Sequence, residues 1–166
     1  MVYQTKDEAR LIHLIWIYET ELLRISFYFL KDKMLSEDAI QDTFLKVYKN
    51  IRHCPDGPAE KAWIYKIALN TIRDAQRRMR VRKRFVFFEN ASFSDSTPLS
   101  GDIIALHAAI MRLPRKMKEV ILLYYYQDFS VMEIAGILNL SQSSVSGRLK
   151  RARERISKEL KGETGK

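Results

Sequence analysis

The sequence predicts an all-α protein: two small helical domains joined by a flexible linker, the second carrying a helix-turn-helix. Three observations carry that expectation. Apolar residues recur at helical spacing through almost every segment, and no run sustains two-residue alternation. Gly and Pro concentrate in two places, residues 53–60 (HCPDGPAE) and 89–102 (ENASFSDSTPLSGD). The second stretch is Ser-rich and aperiodic, as a linker is, and it divides the charge: net +5 over residues 1–90, −2 over 91–110 and +6 over 111–166. The expected boundaries are therefore 1–88, 89–102 and 103–166. A net charge of +9 in a chain that is 46% apolar suggests a globular protein with a polyanionic partner.

Near the start, LIHLIWIY (residues 11–18) is too short to cross a bilayer, contains His13 and runs into Glu19. Acidic residues precede it and no small-residue cleavage site follows, so neither a signal peptide nor direct membrane insertion is expected. The single cysteine, Cys54, excludes an internal disulfide framework and fits a reducing compartment, so the expected location is cytoplasmic. His53 beside it does not make a zinc site, which needs four ligands at set spacings. No cofactor is expected.

Residues 36–51 (SEDAIQDTFLKVYKNI) read as an amphipathic helix with Ser36 as its N-cap and Glu37 and Asp38 suiting its positive start. Ile40, Phe44, Val47 and Ile51 share the inward face. A second face carries Asp38, Gln41, Asp42, Leu45 and Lys49. Leu45 is the apolar member of that polar set, which is either a lone exposed leucine or part of a docking face for another protein. Residues 53–60 demand an irregular loop.

Residues 62–84 form the next helix. Ile64, Ile67, Ala68, Thr71, Ile72 and Ala75 line one side; Lys66, Asn70, Arg73 and Arg77 line the other, at spacings of four, three and four. A basic row interrupted by an amide suits nucleic acid. Trp63 reads as a core anchor. Tyr65 reads equally well as core or as a stacking surface for an unpaired base.

Beyond the linker, LPRKMKEVILLYYY (113–126) supplies a supporting helix. Pro114 suits its first turn, and Val120, Leu123 and Tyr124 face inward. In VMEIAGILNLSQSSVSGRLK (131–150), Ile134, Ala135 and Leu138 form the inner face of a short helix. Asn139 suits a left-handed turn, and Ser141 suits the next N-cap. Val145, Leu149, Ala152 and Ile156 dock that last helix. Its other faces carry Ser143, Ser144, Ser146, Arg148, Lys150 and Arg151, which can meet phosphates and base edges in a major groove. This is the spacing of a DNA-binding helix-turn-helix.

Three motifs in this order resemble the extracytoplasmic-function (ECF) sigma factors, the two-domain promoter-specificity subunits of bacterial RNA polymerase. EDAIQDTFLKVY (37–48) is similar to their core-binding helix, and AWIYKIALNTIRDAQRR (62–78) to their minus-ten recognition and melting helix. Residues 113–153 are similar to their minus-thirty-five domain. The resemblance implies that Asp38, Gln41, Asp42 and Leu45 meet the polymerase clamp coiled coil, with Phe44 internal, and that the flap is a further polymerase contact. It implies that Asn70, with Tyr65 nearby, captures an unpaired minus-ten base, while Lys66, Arg73 and Arg77 hold the promoter backbone. The loop 53–62 would help choose that base. Ser143, Ser144, Ser146, Lys150 and Arg151 would face minus-thirty-five DNA, with Arg148 on phosphate. An anti-sigma partner, often membrane-anchored in this family, is implied as well.

This sequence departs from the family pattern at Ser36, where alanine is usual, and at Glu60, where an apolar or aromatic residue is frequent. It departs again at Ser146-Gly147, where a basic residue and serine are usual. No Gly-rich phosphate loop, metal cluster or nucleophile triad points to an enzyme. The competing readings are a stand-alone helix-turn-helix regulator and a basic protein held at a membrane surface or scaffold. The first leaves the Lys66–Arg77 row and the face around Gln41 unexplained; the aligned Asn70 and the helix-turn-helix pattern count against the second.

Overall fold

The computed structural model describes residues 4–82 and 100–162. The chain divides into two compact units, separated between Phe93 and Ser94. All regular structure among the described residues is helical: α1 Lys6–Leu30, α2 Lys33–Lys49, a 3₁₀ turn Ile51–His53, α3 Ala59–Arg82, α4 Gly101–Met111, α5 Arg115–Ile121 running into a π-turn Leu122–Tyr126, α6 Val131–Leu138 and α7 Gln142–Leu160.

In the N-terminal unit, α1 starts on a capping box. Thr5 Oγ1 accepts from the Glu8 amide at 3.1 Å, and the Glu8 carboxylate accepts from the Thr5 amide at 2.8 Å. It stops at Lys31, which is left-handed at φ 54°. Leu14, Leu22, Ile25 and Leu30 of α1 bury against Ala39, Ile40, Phe44 and Val47 of α2 and Ile64, Ala68 and Ile72 of α3. Small hydroxyls fill the tight places by bonding back to their own helices: Thr43 to the Ala39 carbonyl at 2.7 Å and Thr71 to that of Ile67 at 2.9 Å.

Ser36 bonds back in the same way and is not the N-cap of α2. The helix begins one turn earlier, on Asp32, whose carboxylate accepts from the Leu35 amide at 2.9 Å. Ser36 is buried and donates to the Asp32 carbonyl at 2.7 Å. The longer helix lets Ala39 and Ile40 enter the core on a complete preceding turn. The inward face 40, 44, 47 is otherwise as the spacing predicts.

In the C-terminal unit, α5 begins just after Pro114, which occupies the cap position. Val120, Ile121, Leu122 and Leu123 are all buried, with Ile134, Ile137 and Leu138 of α6 and Val145, Leu149 and Ala152 of α7. Asn139 ends α6 in the left-handed region at φ 55°, ψ 52°. Ser141 caps α7, accepting from the Ser144 amide at 3.1 Å. Of the expected linker 89–102, residues 89–99 lie outside the described residues, and Gly101 and Asp102 are already helical in α4.

Candidate functional site

Three surfaces carry the residues singled out above. The first is the outer side of α7. With Val145, Leu149 and Ala152 buried, Ser143, Ser144, Ser146, Lys150 and Arg151 are exposed, and Arg148 lies half-buried at the flank. Ser141 Oγ lies 2.8 Å from the Ser144 hydroxyl and 3.2 Å from that of Ser143, so these serines are grouped around the cap. Gly147 sits at the centre of this outer face. The Arg151 guanidinium lies back over it, 3.4 Å from where a β-carbon would stand. Among the described residues, Arg148, Lys150, Arg151 and Arg155 have no ion-pair partner, whereas Arg153 lies over the Tyr125 ring at 5.9 Å. Unpaired cations around small polar side chains form a surface that can enter a major groove and meet phosphates on its walls.

The second surface is the solvent side of α3. Ile64, Ala68, Thr71, Ile72 and Ala75 are buried, which turns Lys66, Asn70 and Arg77 outward and leaves Arg73 half-exposed. Arg77 pairs with Asp74 at 2.9 Å, and Arg78 approaches Asp42 of α2 at 3.9 Å. Lys46 of α2 reaches Asp74 at 3.9 Å and donates to the Thr71 hydroxyl at 3.0 Å. Asn70 makes no hydrogen bond among the described residues, so its amide keeps both donor and acceptor for a base edge.

Tyr65 does not belong to this surface. It is 1% exposed, set edge-on to Tyr18 with ring centroids 6.5 Å apart, and lies beneath Lys61. Burial, with the Glu21 charge behind it, pushes its phenol well above the usual tyrosine range. It therefore cannot stack on a base from this position. The signal was present in the sequence: Tyr65, Ala68, Leu69 and Ile72 fall at i, i+3, i+4 and i+7, one buried stripe.

The third surface joins α1 and α2. Asp38, Gln41 and Leu45 are exposed and Asp42 is half-buried; Leu45 shows 58% of its surface while Phe44 beside it is buried. A groove of about 550 Å³ runs along this face, lined by Leu11, Ile15, Glu19 and Leu23 on α1 and by Gln41 and Leu45 among others on α2. Apolar floor and acidic rim suit an apolar and basic helical partner. Of the four predicted α2 residues, Gln41 and Leu45 line this groove, whereas Asp38 and Asp42 line the cleft toward α3. The α1 wall has a signal in the sequence, Leu11, Ile15, Glu19 and Leu23 at four-residue steps, but an apolar run around it masks it.

Comparison with known proteins assigns the chain to a class. Residues 14–82 match the family model for sigma-70 region 2, and residues 103–156 match that for sigma-70 region 4. The RNA polymerase sigma factor CnrH of Cupriavidus metallidurans is 30% identical over 145 residues, covering 78% of this chain and 75% of the relative. The ECF RNA polymerase sigma factor SigM of Bacillus subtilis is 27% identical over 146 residues, 84% of this chain and 88% of that protein. Among solved structures, the sigma factor RpoE of Bartonella quintana, in complex with the anti-sigma factor NepR, superposes with a TM-score of 0.76 at 25% identity, covering 90% of this chain and 95% of that one.

The fold and its two matched regions define a sigma-70-type initiation factor. The chain belongs to the ECF sigma factors, which direct promoter-specific transcription initiation. A stand-alone regulator would leave the region 2 match without a role. No helix among the described residues is long and apolar enough to cross a membrane.

Proposed function

We propose that the three surfaces divide the work of initiation. The outer face of α2, with Gln41 and Leu45 in the groove and Asp38 and Asp42 beside it, docks on the clamp coiled coil of core RNA polymerase. The α3 row, Lys66, Asn70, Arg73 and Arg77, engages the minus-ten element, with Asn70 reading an unpaired base and the cations holding backbone. The α7 face, Ser143, Ser144, Ser146, Arg148, Lys150 and Arg151, enters the major groove of the minus-thirty-five element. The loop 53–62 helps choose the minus-ten base. The C-terminal unit has a second, apolar opening of about 600 Å³ bounded by Leu106, Ile110, Tyr125, Tyr126 and Leu160, which suits the polymerase flap.

The observation that carries this reading is Asn70: an exposed, unsatisfied amide in the middle of a basic row on a helix whose other side is core. Such an amide can pair with the edge of an unpaired base while the cations beside it hold the backbone. The chain acts as a binding and initiation subunit in the cytoplasm, not as an enzyme. An anti-sigma factor that covers the α1–α2 groove or the C-terminal opening would silence it, the class of partner seen with Bartonella RpoE.

The test is transcription in vitro. Bacterial core polymerase plus the purified chain should initiate from a promoter that core alone ignores, with permanganate-reactive thymines at the minus-ten element. Duplex binding without any gain of initiation would overturn the reading.

A further inference from the structure

The loop between α2 and α3 is tied to α1 by one guanidinium. Arg10 Nη2 donates to the Cys54 carbonyl at 3.1 Å, to the Pro55 carbonyl at 3.2 Å and to Asp56 Oδ1 at 2.8 Å. The same nitrogen lies 3.9 Å from Glu60 Oε2, and Tyr18, two turns along α1, donates to Glu60 Oε1 at 2.9 Å. Arg52 adds an outer contact to Asp7 at 3.4 Å. Arg10 and Glu60 are mostly shielded, with side chains 29% and 21% exposed. The loop itself turns on Gly57, left-handed at φ 73°, and leaves His53, Asp56, Gly57 and Pro58 in solvent.

We infer that Arg10, braced by Glu60 and Tyr18, is a positioning residue that fixes the loop 53–58 and thereby sets which minus-ten base the protein prefers. Two successive loop carbonyls have their donor in a side chain more than forty residues away, not in a helix of their own. A loop held this way meets a flipped base in one conformation, so little is lost to ordering on binding and the wrong base is penalised. Glu60, the departure from the family's usual apolar or aromatic residue, is the group through which Tyr18 and Arg10 meet. The inference rests on the reading that this loop helps choose the base.

The experiment compares the full-length parent with Arg10→Met, Arg10→Lys and a loop variant, His53→Ala with Pro58→Ala, which leaves the Arg10 bonds in place. Each is combined with core polymerase on a promoter library randomised over both elements, and the transcripts are sequenced. In Arg10→Met the preference at one minus-ten position should fall about tenfold, the scale of a lost charge-assisted bond, while minus-thirty-five preferences stay unchanged. Arg10→Lys should fall between it and the parent.

Cys54, the only thiol in the chain and buried in the latched loop, gives an independent readout. Its reaction with a disulfide reagent, compared per thiolate because Arg10 itself favours the ionised form, should quicken at least about tenfold in Arg10→Met, as local opening becomes frequent. An unchanged minus-ten profile in Arg10→Met and Arg10→Lys, with a shifted profile in the loop variant, overturns the latch and leaves base choice by the loop standing. An unchanged profile in every variant overturns both. An unchanged thiol rate also overturns the latch. If Arg10→Met fails to fold, Arg10→Lys decides by the same two readouts.

Discussion

The two helices proposed to meet nucleic acid, α3 and α7, handle positive charge in opposite ways. On α3 two of the cations are answered by carboxylates: Arg77 by Asp74 and Arg78 by Asp42, with Lys46 of the neighbouring helix also turned to Asp74. On α7, Arg148, Lys150, Arg151 and Arg155 have no such partner among the described residues. The bare helix suits a duplex, where each neutralised phosphate releases a counterion and adds affinity. The paired helix gains less from raw charge. Its acidic partners fix the side chains around Asn70, which is what a pocket for a single base needs. Net charge divides almost evenly between the two units, so composition hides this division of labour.

The largest expected effect follows from that contrast. Four unpaired cations on α7 predict that binding of the polymerase-bound chain to minus-thirty-five duplex weakens about a hundredfold between 50 and 200 mM salt. Binding of single-stranded minus-ten DNA, where Arg77 and Arg78 of α3 already have carboxylate partners, should weaken less than about tenfold over the same range. Fluorescence anisotropy on the two DNA probes measures both slopes, and equal slopes would break the comparison.

The α1–α2 face is proposed to engage protein, not DNA, so its loss should leave both slopes alone. Gln41→Ala with Leu45→Asp puts an unpaired charge on that face and leaves the core intact, because Leu45 is exposed. Pull-down of core polymerase should fall roughly thirtyfold, about 2 kcal/mol, with helical circular dichroism unchanged. Retained pull-down would move the dock elsewhere.

Single-residue losses on α3 and α7 should differ in kind. Arg151→Ala should weaken minus-thirty-five binding about tenfold and relax its sequence preference, as loss of a bidentate base contact does. Asn70→Ala should leave closed-complex affinity unchanged and lower permanganate reactivity at the minus-ten element severalfold, on the scale of a lost hydrogen bond. If Asn70→Ala lowers duplex affinity instead, α3 and α7 are the same kind of surface.

The C-terminal unit was more legible in the sequence than the N-terminal one, for a physical reason. Its turn is local: Asn139, Ser141 and Val145 lie within seven positions, and each has one conformation that explains it. The N-terminal unit depends on choices between near-equals. Asp32 and Ser36 are both good caps four residues apart, and only the packing of Ala39 and Ile40 decides between them. Tyr65 sits at the border of the polar row, where one step of the helix separates solvent from core. The Arg10 latch joins positions more than forty residues apart and leaves no local pattern. Glu60 marked the place as unusual, but its partner Tyr18 could be found only in three dimensions.

The smallest effect tests whether the two units are energetically separate. Asp32 caps α2 in one and Ser141 caps α7 in the other, each through a side-chain oxygen that accepts a backbone amide. Replacing either with Ala should cost about 1 kcal/mol, or roughly 4–8 °C in the midpoint of a unit of this size. The chain supplies its own reporter. Both tryptophans, Trp16 and Trp63, lie in the N-terminal unit, and Trp16 and Trp63 sit on α1 and α3. Tryptophan fluorescence therefore follows that unit alone, while far-ultraviolet circular dichroism follows helix in both. Asp32→Ala should lower the fluorescence midpoint and the matching part of the dichroism curve. Ser141→Ala should lower only the remaining part of the dichroism curve and leave the fluorescence transition in place. A fluorescence midpoint that moves with Ser141→Ala would mean the units unfold as one cooperative body, and the separate treatment of α3 and α7 would have to be given up.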